Sequence, residues 1–207
     1  MAQAFTASPI PYRRMPALSF LRAAPTVPVT AMVLRSQIVN PGDNVLLPEP
    51  YFPLYGPDVG LWGGEPKFYQ CLFENEFVPT IDHLESLIDK NTVAILYNFP
   101  SNPTGATITI EQRDELLAFA QKHDLWIITD EVYDRIVFDN EHVSFVGCDD
   151  ERVILINSFS KTYAMTGWRI GYILSANKEA MSQMIKVQYY ITACSNDAMQ
   201  YAVLTAI

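Results

Sequence analysis

Lys161 stands among residue types that are suited to carbonyl chemistry. It follows the apolar, β-branched run Val153–Asn157, which predicts a buried strand. A lysine amine forms Schiff bases with carbonyl compounds, and open α/β sheets place their ligands just beyond the carboxyl ends of strands. Lys161 is therefore a candidate covalent catalyst. The alternative is an ordinary solvated lysine in a surface turn.

Hydroxyl and guanidinium groups near this lysine indicate a phosphate site. Ser158 and Ser160 precede Lys161 closely, and Arg169 follows it in the same stretch. A guanidinium fork binds two phosphate oxygens at once, which makes arginine a common phosphate ligand. A Schiff-base lysine beside a phosphate pocket indicates pyridoxal 5'-phosphate (PLP) as the cofactor.

Two further predicted strands also end on polar residues. The run Thr92–Asn98 leads to Asn102-Pro-Thr-Gly, and the run Leu125–Thr129 leads to Asp130 and Tyr133. The carboxyl ends of parallel strands lie along one edge of a sheet, so we expect these groups to converge with the lysine.

Each of these residues matches a need of bound PLP. The ring nitrogen must stay protonated for the ring to act as an electron sink, and the Asp130 carboxylate would hold that proton. Tyr133 and the Asn102 amide would donate to the phenolic oxygen, and Phe52 would cover the ring face. Singly, each has a structural alternative: a turn for Asn102, a cap for Asp130 and a core side chain for Phe52. Asn98 is expected to be structural.

Helices and strands alternate at short spacing around these motifs. This alternation is typical of βαβ units and predicts a three-layer α/β/α fold with a mostly parallel sheet. The other predicted strands are Asn44–Pro48, Lys67–Leu72 and Arg169–Leu174. The predicted helices are Thr30–Val39, Pro53–Leu61, Ile81–Ile88, Glu111–His123 and two more, capped by Asn177 and by Ser195 or Asn196.

Composition limits the classes of function. The chain has 207 residues, of which 49% are hydrophobic and 18% charged, so it can fill a core. The net charge of −9 argues against nonspecific nucleic-acid binding. No apolar run approaches the roughly 18 residues of a transmembrane helix, so we expect no membrane partner.

Cysteine and histidine spacing favours neither disulfides nor a metal site. The three cysteines form no Cys-x-x-Cys pair: Cys71, Cys148 and Cys194. The three histidines show no metal-ligand spacing and are expected at the surface or in packing: His83, His123 and His142. A reducing compartment, and hence a cytoplasmic location, is the expectation.

Residues 1–39 are predicted to be an irregular or divergent amino-terminal segment. Residues 1–29 contain five prolines and three arginines but no acidic residue, a composition that resembles an organelle transit peptide. An irregular amino terminus is the preferred interpretation, because proline interrupts any long helix here. Residues 40–207 are predicted to form one domain.

Three motifs together resemble a known family. They are Asn102-Pro-Thr-Gly, Asp130-Glu-Val-Tyr and Ser158-Phe-Ser-Lys-Thr-Tyr-Ala-Met-Thr-Gly-Trp-Arg-Ile-Gly-Tyr. In this order they are similar to those of the class I/II aminotransferases, which are PLP-dependent enzymes of fold type I. The resemblance runs from about Asn40 to the end of the chain. It implies a PLP-binding large domain, a homodimer, and transfer of an amino group between an amino acid and a 2-oxo acid.

The resemblance assigns the same roles as the chemistry above. It implies that Lys161 carries the cofactor as a Schiff base and later moves the proton between the substrate Cα and the cofactor C4'. Ser158 and Arg169 are implied phosphate ligands, with Ser160 nearby. The complete implied set is Phe52, Asn102, Asp130, Tyr133, Ser158, Ser160, Lys161 and Arg169.

The chain also departs from the family pattern. The family's glycine-containing phosphate turn is missing, because no glycine precedes Gly42. The small domain, with its arginine for the substrate carboxylate, is not recognisable, so we expect a truncated large domain that associates through uncovered surfaces. Three functions stay open: a working aminotransferase, an inert remnant that binds PLP or a partner subunit, and another fold-type-I reaction such as a lyase or decarboxylase.

Overall fold

One mixed sheet of seven strands runs through the part of the protein that the structure describes. The structure is a computed structural model, and it describes residues 19–22, 33, 38–139, 141–148 and 150–207. The strands are β1 (Ser19–Arg22), β2 (Asn44–Glu49), β3 (Glu65–Gln70), β4 (Thr92–Asn98), β5 (Trp126–Asp130), β6 (Val153–Ser158) and β7 (Gly171–Ser175). The helices are α1 (Tyr55–Leu61), α2 (Ile81–Leu87), α3 (Ile110–Lys122), α4 (Phe159–Thr162), α5 (Lys178–Thr192) and α6 (Asp197–Ala206).

The strand order brings three neighbouring strand ends to one edge. Across the sheet the order is β1-β7-β6-β5-β4-β2-β3. Strands β2 to β6 pair in parallel, whereas β7 runs antiparallel to both β6 and β1. Asn98 of β4 lies opposite Asp130 of β5, and Asp130 lies opposite Ile156 of β6. The polar residues that follow these strands therefore start from adjacent positions.

Helices cover both faces of the sheet. Alternate residues of the central strands point to opposite faces, and both sets are buried, which explains their continuous apolar runs. One face packs against α1 and α5 through residues that include Leu96, Ile128, Tyr55, Val59 and Met181. The other face packs against α2 and α3 through residues that include Ile95, Ile127, Leu84, Leu116 and Phe119. The predicted three-layer α/β/α fold with a mostly parallel sheet is confirmed.

Local sequence signals account for the helix starts. Thr109 caps α3 in a reciprocal box with Gln112, in which each side chain accepts from the other residue's backbone N–H. Asn177 caps α5 by accepting from the Ala180 N–H, as predicted. Asn196 caps α6 by accepting from the Met199 N–H, which decides between the two predicted caps.

One predicted strand boundary needs correction, one strand was not predicted, and one predicted helix lies mostly outside the described residues. The strand predicted from Arg169 begins at Gly171, because Arg169 ends a 3-10 turn (Thr166–Trp168) in the left-handed conformation with φ 55°. The strand β1 at Ser19–Arg22 is not predicted by the sequence analysis. The predicted helix at 30–39 lies almost entirely outside the described residues. None of the described helices has both the length and the apolarity to span a membrane.

Candidate active site

Asp130, at the end of β5, is a buried carboxylate held by neutral donors. Only 8% of the Asp130 surface is exposed to solvent. Oδ2 accepts a 2.8 Å hydrogen bond from the Tyr55 hydroxyl, and Oδ1 accepts from the Val132 N–H at 3.2 Å. It forms no ion pair with a described residue. Burial raises the pKa of Asp130 to about 6, although the Tyr55 and Val132 hydrogen bonds act in the opposite direction.

A buried asparagine ties the end of β4 to the end of β5. Asn98 donates from Nδ2 to the Asp130 carbonyl oxygen at 3.0 Å, and its Oδ1 accepts from the Asn102 N–H at 2.8 Å. This agrees with the structural role expected for Asn98. The half-buried Asn102 begins a tight loop, which the Gly105 N–H closes by donating to the Ser101 carbonyl at 2.9 Å.

Lys161 lies in the one-turn helix α4, directly after β6. Its side chain is exposed, and its Nζ lies 5.4 Å from the centroid of the Tyr133 ring. No described carboxylate lies within ion-pair distance of this amine. The lysine charge still acts on Asp130, where it is a minor influence that lowers the carboxyl pKa. The amine, the phenol and the carboxylate thus share one region at the sheet edge.

The two serines form a compact pair at the start of α4. Ser158 caps this turn, because its Oγ accepts from the Ser160 N–H at 3.0 Å. The two hydroxyl oxygens lie 2.8 Å apart, and Ser158 Oγ also lies 3.1 Å from the Ile170 carbonyl oxygen. Thr166 links the exposed Arg169 to this pair, since its hydroxyl donates to the Ser160 carbonyl and its own carbonyl accepts from Arg169.

Phe52 lies beside Tyr55. The sequence analysis did not predict Tyr55 as a residue of this site. The two rings meet edge to face with centroids 5.6 Å apart. A turn closed by the Tyr55 N–H and the Phe52 carbonyl at 3.1 Å holds the rings together. Phe52 is half-buried, whereas Tyr55 is buried and reaches Asp130. The sequence signal for Tyr55 was its position one turn after Phe52, at the start of a helix.

The neighbouring Glu131 serves the opposite face of the sheet. It is 1% exposed and accepts from the Thr129 hydroxyl at 3.0 Å and from the Phe145 N–H at 3.0 Å. Its Oε2 lies 2.7 Å from His142 Nε2. Glu131 therefore anchors the segment after β5, and His142 takes part in that packing. Among the residues that the structure describes, no cluster of three or more metal-ligating side chains was found.

Comparison with known proteins identifies relatives of this arrangement. The family model described as aminotransferase class I and II matches residues 27–207. An aspartate aminotransferase from Pyrococcus abyssi is 39% identical over 175 residues, which are 83% of this chain and 45% of that protein. Aromatic-amino-acid aminotransferase 2 from Thermococcus litoralis is 41% identical over 168 residues, 80% of this chain and 43% of that protein.

Solved structures agree in fold. An aromatic aminotransferase from Pyrococcus horikoshii superposes with a TM-score of 0.83 at 35% identity, covering 92% of this chain and 51% of that one. A Thermus thermophilus aspartate aminotransferase solved with maleate gives a TM-score of 0.85 at 32% identity, covering 90% and 48%. The chain spans about half the length of the curated relatives that it matches.

Proposed function

This chain belongs to the class I and II aminotransferase family, and on that premise we propose that it binds PLP at Lys161. The bound cofactor would serve the transfer of an amino group between an amino acid and a 2-oxo acid. We further propose that residues 40–207 are the PLP-binding large domain and residues 1–39 a separate, divergent segment. The family match begins at residue 27, so it extends beyond the proposed domain.

The observation that carries this proposal is the buried carboxylate of Asp130 near Lys161, which forms no ion pair with a described residue. A carboxylate in a buried site is costly unless it is compensated by a cation or by hydrogen bonds. Asp130 has two neutral donors and no ionic partner among the described residues. A protonated ring nitrogen would supply the missing positive charge, so the residues present fit PLP.

Lys161 would both attach the cofactor and act as a base. Its amine, which no described carboxylate neutralises, would hold the cofactor covalently. Once released from that bond, the same amine would act as the base that removes the proton from the substrate Cα. When bound, PLP supplies an electron sink that stabilises the negative charge left by the departing proton.

The remaining residues would hold and orient the cofactor. The Tyr133 hydroxyl and the Asn102 side-chain amide would each donate a hydrogen bond to the cofactor's phenolic oxygen. Phe52 would cover one face of the ring, since its own ring is half-buried and fixed edge to face against Tyr55. These contacts would restrict rotation of the ring and exclude water from one side.

The phosphate would lie between the serine pair and Arg169. Ser158 and Ser160 present two hydroxyls within hydrogen-bond distance of each other, and both can reorient their protons towards a phosphate. Arg169 supplies a permanent positive charge, and Thr166 links its guanidinium to the Ser160 backbone. This arrangement supports a phosphate site without the glycine-containing turn that is missing from the sequence.

We propose an α-amino acid and a 2-oxo acid as the small-molecule partners. The relatives are named as aspartate and as aromatic-amino-acid aminotransferases, so their names do not single out one amino acid for this chain. We also propose a homodimer in a cytoplasmic setting. The exposed Tyr190, Tyr201 and Leu204 of α5 and α6 support association, and the free Cys71, Cys148 and Cys194 support a reducing compartment.

Cofactor trapping tests the proposal. Purified protein mixed with PLP should show a visible absorption band, and borohydride reduction should fix the cofactor to Lys161 in a peptide mass map. Lys161→Ala should abolish both signals, whereas Lys122→Ala, which removes an exposed lysine on α3, should leave them unchanged. Trapping on another lysine would overturn the assignment of Lys161.

Amino acid addition tests the reaction. A panel of α-amino acids should convert the visible band and release a 2-oxo acid in amounts that match the bound cofactor. A loaded protein that no amino acid changes would support the inert remnant considered from sequence. Release of ammonia or carbon dioxide would instead indicate a lyase or a decarboxylase.

A further inference from the structure

We propose that Tyr55 is a positioning residue, whose hydroxyl hydrogen bond keeps the Asp130 carboxylate ionised and oriented for the cofactor's ring nitrogen. This inference rests on the proposed function, since it concerns the carboxylate assigned there to PLP. It adds a residue that acts through Asp130 and that does not itself need to touch the cofactor.

The contact between the two residues is short, buried and long-range. The Tyr55 hydroxyl lies 2.8 Å from Asp130 Oδ2, and the residues are 75 positions apart in the chain. Tyr55 is 2% exposed and Asp130 is 8% exposed. A hydrogen bond between a neutral donor and a carboxylate is stronger than one between neutral groups, and burial removes competing water.

Tyr55 also limits how the carboxylate can turn. It engages Oδ2 while the Val132 N–H engages Oδ1, so each oxygen has one donor among the residues that the structure describes. A carboxylate can accept about four hydrogen bonds, so capacity for a further donor remains. The Asn98 amide holds the Asp130 backbone from the other side, at its carbonyl oxygen. The group is therefore preorganised rather than saturated.

Other buried tyrosines in the sheet core satisfy their hydroxyl groups without a carboxylate. Tyr69 and Tyr97 are also fully buried, but their hydroxyls donate to backbone carbonyls, of Leu96 at 2.7 Å and of Leu116 at 3.3 Å. Both belong to the core on the opposite face of the sheet. A backbone carbonyl is thus sufficient to satisfy a buried phenol, whereas Tyr55 donates to an ionisable side chain at the candidate site.

The protonation states of the two residues agree with Tyr55 as the hydrogen-bond donor and Asp130 as the acceptor. Burial, followed by the nearby charge of Asp130, raises the pKa of Tyr55 well above its ordinary value, so the phenol keeps its proton. The hydrogen bond from Tyr55 in turn lowers the pKa of Asp130, against the larger effect of burial. Without Tyr55 the carboxyl group would hold its proton to higher pH, and a neutral acid attracts a protonated ring nitrogen less strongly.

Tyr55→Phe is the decisive variant, because it removes only the hydroxyl oxygen. Carbon-13 NMR of the Asp130 carboxyl without cofactor should show a higher pKa than in the wild type. The affinity for PLP should fall about tenfold or more, as expected for a lost hydrogen bond to a charged group. Tyr69→Phe is the matched control, and it should change neither quantity.

A double-mutant cycle separates positioning from general damage. In an Asp130→Asn background, adding Tyr55→Phe should change PLP affinity by less than about threefold, because the partner of the hydroxyl is already gone. An equal loss in both backgrounds would show that Tyr55 acts independently of Asp130, and the inference would be wrong. An unchanged Asp130 pKa in Tyr55→Phe would also overturn it.

A second variant covers the case in which Tyr55→Phe does not fold. 3-Fluorotyrosine in place of Tyr55 keeps the hydroxyl and makes it a stronger donor, so the Asp130 pKa should fall below the wild-type value. The absence of that fall would contradict the inference. If wild-type protein binds no PLP, the proposed function fails, and the carboxyl titration separately decides whether Tyr55 sets the charge of Asp130.

Discussion

Asp58 is a buried carboxylate on α1 that the proposed chemistry does not use. It is 5% exposed, and its Oδ2 accepts no hydrogen bond from a described residue. Burial raises the pKa of Asp58 from 3.8 to about 7. The folded state therefore holds this proton more tightly than the unfolded state, so the free energy of unfolding falls as pH rises from about 4 to about 7.

Asp58→Asn should flatten that pH dependence. We expect the wild type to lose about 2–4 kcal/mol of stability between pH 4 and pH 8 through Asp58, and the variant to lose less, because its amide does not titrate. Urea unfolding across that range measures the difference. Asp139→Asn, at an exposed position, should leave the wild-type slope in place. Asp130 adds a smaller fall up to about pH 6 in every variant.

A slope in Asp58→Asn as steep as in the wild type would contradict this account. It would mean that other groups, and not the buried carboxyl of Asp58, control stability in this pH range.

At single residues, the sequence predicted which proposed site residues share one sheet edge better than it predicted the side chains that support them. Lys161, Asp130 and Asn102 follow predicted strands, so the rule for parallel sheets is enough to bring them to one edge. Tyr55 was not predicted because its contact with Asp130 spans 75 residues, and its position one turn after Phe52 does not by itself indicate that contact. Contacts of this kind depend on how α1 packs against the sheet.

Gly171 sets how closely β7 can approach β6. A Cβ at this position would meet the Asn157 carbonyl oxygen at 2.6 Å and the Ser158 Cα at 3.5 Å. Gly171→Ala should therefore destabilise the protein by about 2 kcal/mol or more, since the backbone must shift. It should also weaken PLP binding by displacing Ser158. Thermal unfolding and cofactor titration measure the two effects.

Gly167 supplies the control for this prediction. A Cβ there meets no atom within 4 Å, and the residue lies in the neighbouring 3-10 turn. Gly167→Ala should change stability by less than about 0.5 kcal/mol. Equal effects of the two substitutions would show that the close approach at Gly171 is not the cause.

The reciprocal cap of α3 should make a measurable contribution. Thr109→Ala removes the side-chain acceptor for the Gln112 N–H and should lower the free energy of unfolding by about 1 kcal/mol. Thr107→Ala, two residues earlier and outside the cap, should have little effect. Urea unfolding of both variants tests the prediction, and an unaltered midpoint for Thr109→Ala would refute it.

Among the elements, periodicity predicted the central strands well and the loops poorly. The buried run Thr92–Asn98 matches β4 at both ends, because it is short, contains the β-branched Val93 and Ile95, and is followed by a proline-containing turn. Arg169 was placed in a strand, yet it takes a left-handed conformation that no sequence period signals. The strand β1 was missed because its stability comes from pairing with β7 rather than from its own composition.

The molecule as a whole exposes apolar side chains on its last two helices. Tyr190 is 91% exposed, Tyr201 73% and Leu204 66%. Surfaces of this kind favour association, so sedimentation velocity should show the average mass rising with protein concentration. The net charge of −9 opposes this through repulsion, and added salt should therefore strengthen association.

Surface variants identify the helices responsible. Tyr190→Ser combined with Leu204→Ser should shift the protein towards monomer. Phe138→Ser, at a residue that is 90% exposed but lies outside these helices, should not. A wild-type protein that stays monomeric at all concentrations would rule out association through this surface.

The antiparallel strand β7 has a consequence for the order of events on the ribosome. It joins β1 to the sheet, although about 150 residues separate Arg22 from Gly171 in the chain. At 5–20 residues per second, roughly 8 to 30 s of synthesis divide the appearance of the two strands. Among the described strands, β1 is thus made first but must wait for β7, and until then its backbone is open to pairing with another nascent chain.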